Sequence, residues 1–135
     1  MKILLLAAVV LLAASTAVQA KAKLPQVMLG DWCVDRETGK EYWRTRRDHC
    51  EQRSLTVRRQ SYISQPDSEC KSRKLEQKDT SIFRISASCV SIDLDKNDQF
   101  TSTTWNEVIE LEFSNDQLRL RQISKPYNVK RKKIQ

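Results

Sequence analysis

Apolar residues recur at every second position through much of this chain, the spacing of strands that bury one face and wet the other. The pattern is plainest near the C-terminus. Ile109, Leu111 and Phe113 alternate with Glu110 and Glu112, and Leu118 and Leu120 alternate with Arg119 and Arg121. A two-residue turn at Asn115 and Asp116 sets Leu111 opposite Leu120 and Phe113 opposite Leu118. The same register sets Glu112 against Arg119 and Glu110 against Arg121 on the wet face, so the outward charges agree with the inward apolar pairs.

Other segments read in the same way. Gly30 to Val34 predicts a first strand, Asp35 to Lys40 a turn, and Glu41 to Thr45 an aromatic-rich return strand. Arg46 to Arg53 has no clear period and suits a short helical turn around Cys50. Leu55 and Val57 share one face, and Tyr62 and Ile63 continue with a phase slip. Gln65 to Ser68 is a turn signal, and Cys70 to Gln77 predicts a polar strand near an edge. Phe83, Ile85, Ala87 and Cys89 alternate strictly; the apolar positions then move to Val90, Ile92 and Leu94, which predicts a β-bulge. Phe100 to Trp105 is Thr-rich and strand-like. The expected fold is all-β, a small antiparallel barrel or sandwich of about seven to eight short strands.

The ends change the picture. Met1-Lys2, the apolar run from Ile3 to Ala14 and the small-x-small site Val18-Gln19-Ala20 have the layout of a secretory signal peptide over residues 1–20. The run is short for a membrane span, which needs about 20 apolar residues. Cleavage after Ala20 leaves 115 of the 135 residues, enough for one domain over 21–124. Residues 125–135 then form a basic, flexible tail. The expected location is periplasmic or secreted, not integral to a membrane.

An exported chain with four cysteines predicts two disulfides. Cys33, Cys50, Cys70 and Cys89 contain no C-x-x-C pair, and His49 is the only histidine, which argues against structural zinc. A turn centred on Asp79 and Thr80 would lay Cys70 opposite Cys89, within disulfide range. Cys33–Cys50 follows by elimination.

The formal charge of +7 raises a nucleic-acid reading, but the excess lies at the ends. Residues 24–124 carry sixteen basic against seventeen acidic side chains. Within them Arg44, Arg46, Arg47, Arg58 and Arg59 form the one basic cluster that would hold an anionic group, with solvated strand positions as the plainer account. Asp48-His49-Cys50 sets an acid, an imidazole and a sulfur side by side, but a bridged Cys50 is no nucleophile. Glu107, Glu110 and Glu112 resemble a carboxylate set, yet the alternation makes Glu110 and Glu112 solvated. Two glycines leave no room for a phosphate-binding loop, and no cofactor or metal motif is present. Trp32, Trp43, Trp105, Tyr42 and Tyr62 are core candidates first and cavity-lining candidates second.

Gly30-Asp31-Trp32 resembles the G-x-W motif of lipocalins. That resemblance implies a barrel whose base is closed by Trp32 and covered by an Arg from beyond the last strand, here Arg119 or Arg121. The chain is short for that family and has no T-D-Y-like motif. Over residues 27–123 it is more similar to small uncharacterised exported proteins of alphaproteobacteria that open with L-G-x-W-C, a resemblance that implies fold and compartment and no activity. The expected function is a non-catalytic binding or structural module of the cell envelope, its partner an anionic envelope component or another exported protein. The alternative is a lipocalin-like carrier of a small apolar ligand. N-terminal sequencing of the protein recovered from its own envelope should begin at Lys21; a chain beginning at Met1 would remove the cleavage after Ala20 and leave a retained N-terminal anchor.

Overall fold

The structure, a computed structural model, describes residues 21–38, 41–46, 50, 54–65 and 68–134. The proposed signal segment and most of the predicted helical turn at 46–53 lie outside the described residues. Among the described residues there are nine strands: β1 (Gly30–Thr38), β2 (Glu41–Thr45), β3 (Ser54–Val57), β4 (Ser61–Gln65), β5 (Ser68–Asp79), β6 (Ile82–Leu94), β7 (Phe100–Ser114), β8 (Gln117–Gln122) and β9 (Tyr127–Lys133). Every pairing is antiparallel. The sheet order β6-β5-β4-β3-β1-β2-β8-β7-β9, with β6 also paired to β7, curls the first eight strands into a half-barrel whose pairing circuit returns to its start. The wall is stoutest at β5, β6 and β7 and thinnest at β3 and β4, where only Thr56↔Ile63 and Val57↔Tyr62 pair. Three strands are long rather than short, because β6 and β7 pair without a break from Ile82↔Glu112 to Leu94↔Phe100.

The order also departs from the up-and-down circuit of lipocalins. β3 pairs with β1 on the edge away from β2. The Cys33–Cys50 disulfide ties β1 to the segment that joins β2 to β3.

The last hairpin has the predicted register, Leu111↔Leu120 and Phe113↔Leu118, with Glu110↔Arg121 and Glu112↔Arg119. Asn115 and Asp116 both hold positive φ, 51° and 59°, as a two-residue type I′ turn requires. Cys70 pairs with Cys89 across β5 and β6 and is bridged to it, with Cα atoms 4.0 Å apart. The route to that register differs from the simple one. The turn sits one residue later, at Thr80-Ser81, and bulges at Ser72/Lys74 and Gln77/Asp79 restore the alignment before the cysteines.

Two expectations are corrected. β6 carries no bulge against β7: its register is constant, and Val90, Ile92 and Leu94 lie on the outer face, exposed. The basic tail is not a free end either, because Tyr127–Lys133 is β9, paired with Thr101 to Asn106 of β7.

The interior is filled by Met28, Trp32, Leu55, Val57, Phe83, Ile85, Ile109, Leu111 and Leu118, all essentially inaccessible. Trp32 closes one end. A 3-10 turn at Gln26–Met28 brings the Met28 carbonyl to the indole N–H (3.1 Å), and Phe113 meets the ring edge-on at 6.1 Å. Gly30 enters β1 at φ +118°, a conformation L side chains resist. The arginine over Trp32 is Arg46, not Arg119 or Arg121. Its guanidinium lies 4.9 Å from the ring, and Nη2 donates to the carbonyls of Val27 and Leu29 at 2.9 Å each. Arg119 instead lies over Trp43 on the outer face and pairs with Glu112; Arg121 pairs with Glu110.

Arg46→Ala therefore removes two charge-assisted hydrogen bonds and a cation–π contact. Allowing for exposure, the expected loss is about 2 kcal/mol. Arg119→Ala, which breaks a surface pair, should cost about 1 kcal/mol or less. Urea unfolding of the two variants checks the ranking, and equal losses would contradict it.

Candidate functional site

Basic residues that are far apart in the chain meet in one groove of about 640 Å³. Its lining includes Lys21, Lys23, Arg59, Lys71 and Arg73, five cations, with Gln60 and Ser72 between them and, among the described residues, no carboxylate. Local structure explains each position. Leu24 is buried in the core and pins the N-terminal lead-in, so Lys21 and Lys23 are held rather than trailing. Lys71 follows the fully buried Cys70 in β5 and by strand alternation points outward. Arg73 sits in the β5 bulge and donates to the Tyr127 hydroxyl at 2.9 Å, which fixes it from β9. Arg59 lies in the bend between β3 and β4, held beside β5 by the bond from Ser72 N–H to the Gln60 carbonyl (3.1 Å).

The structure separates the arginines expected to act together. Arg44 is buried with its guanidinium over Tyr42 (5.5 Å), and Arg46 covers Trp32. Arg47 lies outside the described residues, and Arg58 is exposed beyond β3. Only Arg59 lines the basic groove. Lys21, Lys23, Lys71 and Arg73 were not legible as partners, because a lysine in a lead-in or on a polar strand carries no signal of what the fold sets beside it.

Lys71 also borders a second groove, of about 740 Å³, on the outer face of β5, β6, β7 and β9. Ser88, Thr104, Asn106 and Asn128 supply hydroxyls and amides there, Lys71 and Lys130 supply positive charge, and Glu69 is the carboxylate in its lining. The two grooves have Lys71 in common.

A different chemistry lies inside. Glu107 faces inward with Ile109, Leu111 and Phe113, whose parity it shares. It is about 9% exposed, and its Oε1 accepts a bond from the Tyr62 hydroxyl at 2.5 Å. The same oxygen lies 3.6 Å from Cys70 Sγ and 3.5 Å from Cys89 Sγ. This triad of Cys70, Cys89 and Glu107 has the spacing of a metal site, but both sulfurs are spent in a disulfide and no thiolate is available. Nor is there an acid–base dyad open to substrate. Burial first, and the charge and hydrogen bond of Glu107 next, push the Tyr62 hydroxyl far above its ordinary value. Tyr62 is thus a fixed donor.

Glu110 corrects the expectation of a solvated carboxylate. It is 6% exposed on the outer face between Arg84 (3.2 Å) and Arg121. Burial opposes its charge, but the hydrogen bonds from Arg121 and Arg84 outweigh that and hold the carboxyl below its usual range. Glu41 extends the row to β2 through Arg121 at 4.0 Å. Of the aromatic candidates, Trp32 and Tyr62 are core, Tyr42 and Trp105 pack against it, and Trp43 lies between Arg36 (4.9 Å) and Arg119 (5.2 Å). Asp48 and His49 lie outside the described residues, and Cys50 is bridged.

Because Tyr62 is held neutral in the fold, the stability this gives is present below the ordinary tyrosine value of 10.0 and is lost as pH rises above it. Unfolding free energies from urea titrations across that range should fall more steeply for the wild type than for Tyr62→Phe, by up to about 1.4 kcal/mol per pH unit. Parallel curves would place Tyr62 in contact with water. Comparison of the chain with family models, curated proteins and solved structures found no match, so the functional reading stands on this geometry.

Proposed function

We propose that the protein is a non-catalytic binding module of the cell envelope that holds an anionic group in the groove of Lys21, Lys23, Arg59, Lys71 and Arg73. The observation that carries the reading is five cations lining one concavity with no carboxylate among the described residues. Like charges held together repel, and a phosphate, sulfate or carboxylate placed among them relieves that repulsion while accepting charge-assisted hydrogen bonds. Arg59 and Arg73 offer planar forks and the lysines offer mobile point charges, a mixture suited to a multivalent anion.

Two disulfides fit an oxidising, extracytoplasmic compartment, and among the described residues no helix is long and apolar enough to cross a membrane. Export through a signal segment at 1–20 belongs to the same proposal. Cleavage after Ala20 would add the α-amine of Lys21 at the mouth of the groove, one more positive charge where five already meet. The alternative, a carrier of an apolar ligand, requires interior space that Trp32, Phe83 and their neighbours occupy. No observation favours it.

Titration with dextran sulfate tests the groove. Binding should weaken about tenfold between about 50 and 200 mM salt, since exposed charges are screened over this range. The triple variant Arg59→Gln/Lys71→Gln/Arg73→Gln should lose about tenfold or more at low salt. Affinity indifferent to both salt and the triple variant would remove this function.

A further inference from the structure

β6, β7 and β9 continue past the end of β5 as a three-stranded ribbon. β5 starts at Ser68, opposite Ser91, whereas β6 runs to Leu94 and pairs with β7 to Phe100. Cross-strand partners share a face. Three rows therefore lie side by side on the outer face: Val90, Thr104 and Lys130; Ile92, Ser102 and Lys132; and Leu94, Phe100 and Ile134, the last bonded through its N–H to the Phe100 carbonyl at 2.9 Å.

Five of those side chains are large, apolar and in water. Val90 is 39% exposed, Ile92 51%, Leu94 60%, Phe100 55% and Ile134 45%. Contiguous exposed apolar surface of this kind marks an interaction site. β9 is also the edge of the sheet, and lysines on an edge strand are a common guard against pairing with another chain. That guard accounts for Lys130 and Lys132 but not for the apolar side chains beside them.

We infer that this face docks on an anionic membrane surface. Charge complementarity selects the occupant. Lys130 and Lys132 project from the apolar face itself, with Arg131 and Lys133 on the same strand. Of the carboxylates nearby, Glu69 lies opposite Val90 in the innermost row, far from the apolar end. Asp93 alternates onto the other face of β6, and Asp95, whose Oδ1 accepts from the backbone N–H groups of Asn97 (2.8 Å) and Gln99 (3.0 Å), and Asp98 lie in the connecting turn beyond the face. Apolar side chains that enter the acyl boundary, beside lysines whose long stems let the ammonium reach the phosphates, are the two halves of interfacial binding. The polar Asp95–Asp98 turn prevents insertion end-on, so the ribbon lies flat. At its inner end the face runs into the 740 Å³ groove, where Lys71 and Lys130 with Ser88, Thr104 and Asn106 form a polar seat for a headgroup. The inference goes beyond the basic groove and does not depend on it.

Flotation with vesicles of phosphatidylcholine and phosphatidylglycerol in equal parts tests it. The protein should float with these vesicles and bind phosphatidylcholine alone about tenfold more weakly or worse, since each lysine near an anionic surface contributes about fivefold. Leu94→Ser/Phe100→Ser alters only exposed side chains. It should keep the circular-dichroism spectrum and dextran sulfate binding and lose about tenfold in vesicle affinity. Lys130→Gln/Lys132→Gln should lose a similar factor, and the loss should vanish at high salt. Equal binding to both vesicle types, or unchanged binding by the Leu94→Ser/Phe100→Ser variant, would overturn the assignment. So would a concentration-dependent dimer in sedimentation that this variant abolishes without any vesicle binding, which would assign the face to a second copy of the chain.

Discussion

β7 has two edges and three partners, and most of the architecture follows from how they share them. A backbone edge makes each ladder hydrogen bond once. One edge of β7 is taken along nearly its whole length by β6. The other is divided: β8 takes Ile109 to Ser114, and β9 takes Thr101 to Asn106. The handover lies at Val108. Its N–H goes to Ser124 Oγ (2.9 Å), and its carbonyl accepts from the N–H groups of Ile123 (2.9 Å) and Ser124 (3.2 Å). Where β8 leaves, the circuit through β2 and β1 leaves with it; β5 stays beside β6 as far as Ser91, and past that point β6, β7 and β9 are a ribbon. The gap between the two ladders thus sets where the half-barrel ends.

The same boundary explains the inward Glu107. An apolar residue would fit the parity of Ile109 and Leu111, but here the sheet is passing from the half-barrel to the ribbon. A carboxylate is tolerable because Tyr62, from the far wall, donates to it, and the Cys70–Cys89 disulfide packs against it in place of water. On the outer face charge is treated in the opposite way. Arg84, Glu110, Arg121 and Glu41 run across β6, β7, β8 and β2 as one row of alternating sign. Each strand carries charges that only its neighbours neutralise, so the row favours this strand order over its alternatives.

What was legible in the sequence was local. The hairpin at Asn115-Asp116 was readable because apolar and charged pairs both match about the same centre. The Cys70–Cys89 pairing was readable from a turn placed midway between the two cysteines, although two bulges and a later turn cancel to produce it. β9 was not readable. Its residues show no apolar alternation, and its partner precedes it by some thirty positions in a Thr-rich segment, so Lys130 to Lys133 look like a solvated end. Val90, Ile92 and Leu94 misled for a related reason: an apolar residue is presumed to be buried, and a change of phase then demands a bulge. In the structure the phase changes because the burial changes face. Arg46 reaches Trp32 because the β1–β2 register sets Cys33 opposite Thr45, and that register depends on a bulge between Val34 and Arg36 that no periodicity encodes. Glu107 alone left a usable trace, since it shares the parity of the core residues that follow it.

The basic groove is the sharpest case of a site made by topology. Lys21 and Lys23 carry charge that, in a free end, would be smeared over many conformations and cost almost nothing. Leu24 changes this by burying its side chain in the core, which fixes the lysines beside Arg59, Lys71 and Arg73. Two unit charges about 8 Å apart in water repel by about 0.5 kcal/mol, and five together multiply the pairs. Holding them there costs stability, and the buried Leu24 keeps the two lysines from spreading away from the other cations. On the proposed function such a cost is recovered when a counter-charge occupies the groove, and an anion would act on this chain as a ligand and as a stabiliser of its N-terminal lead-in at once.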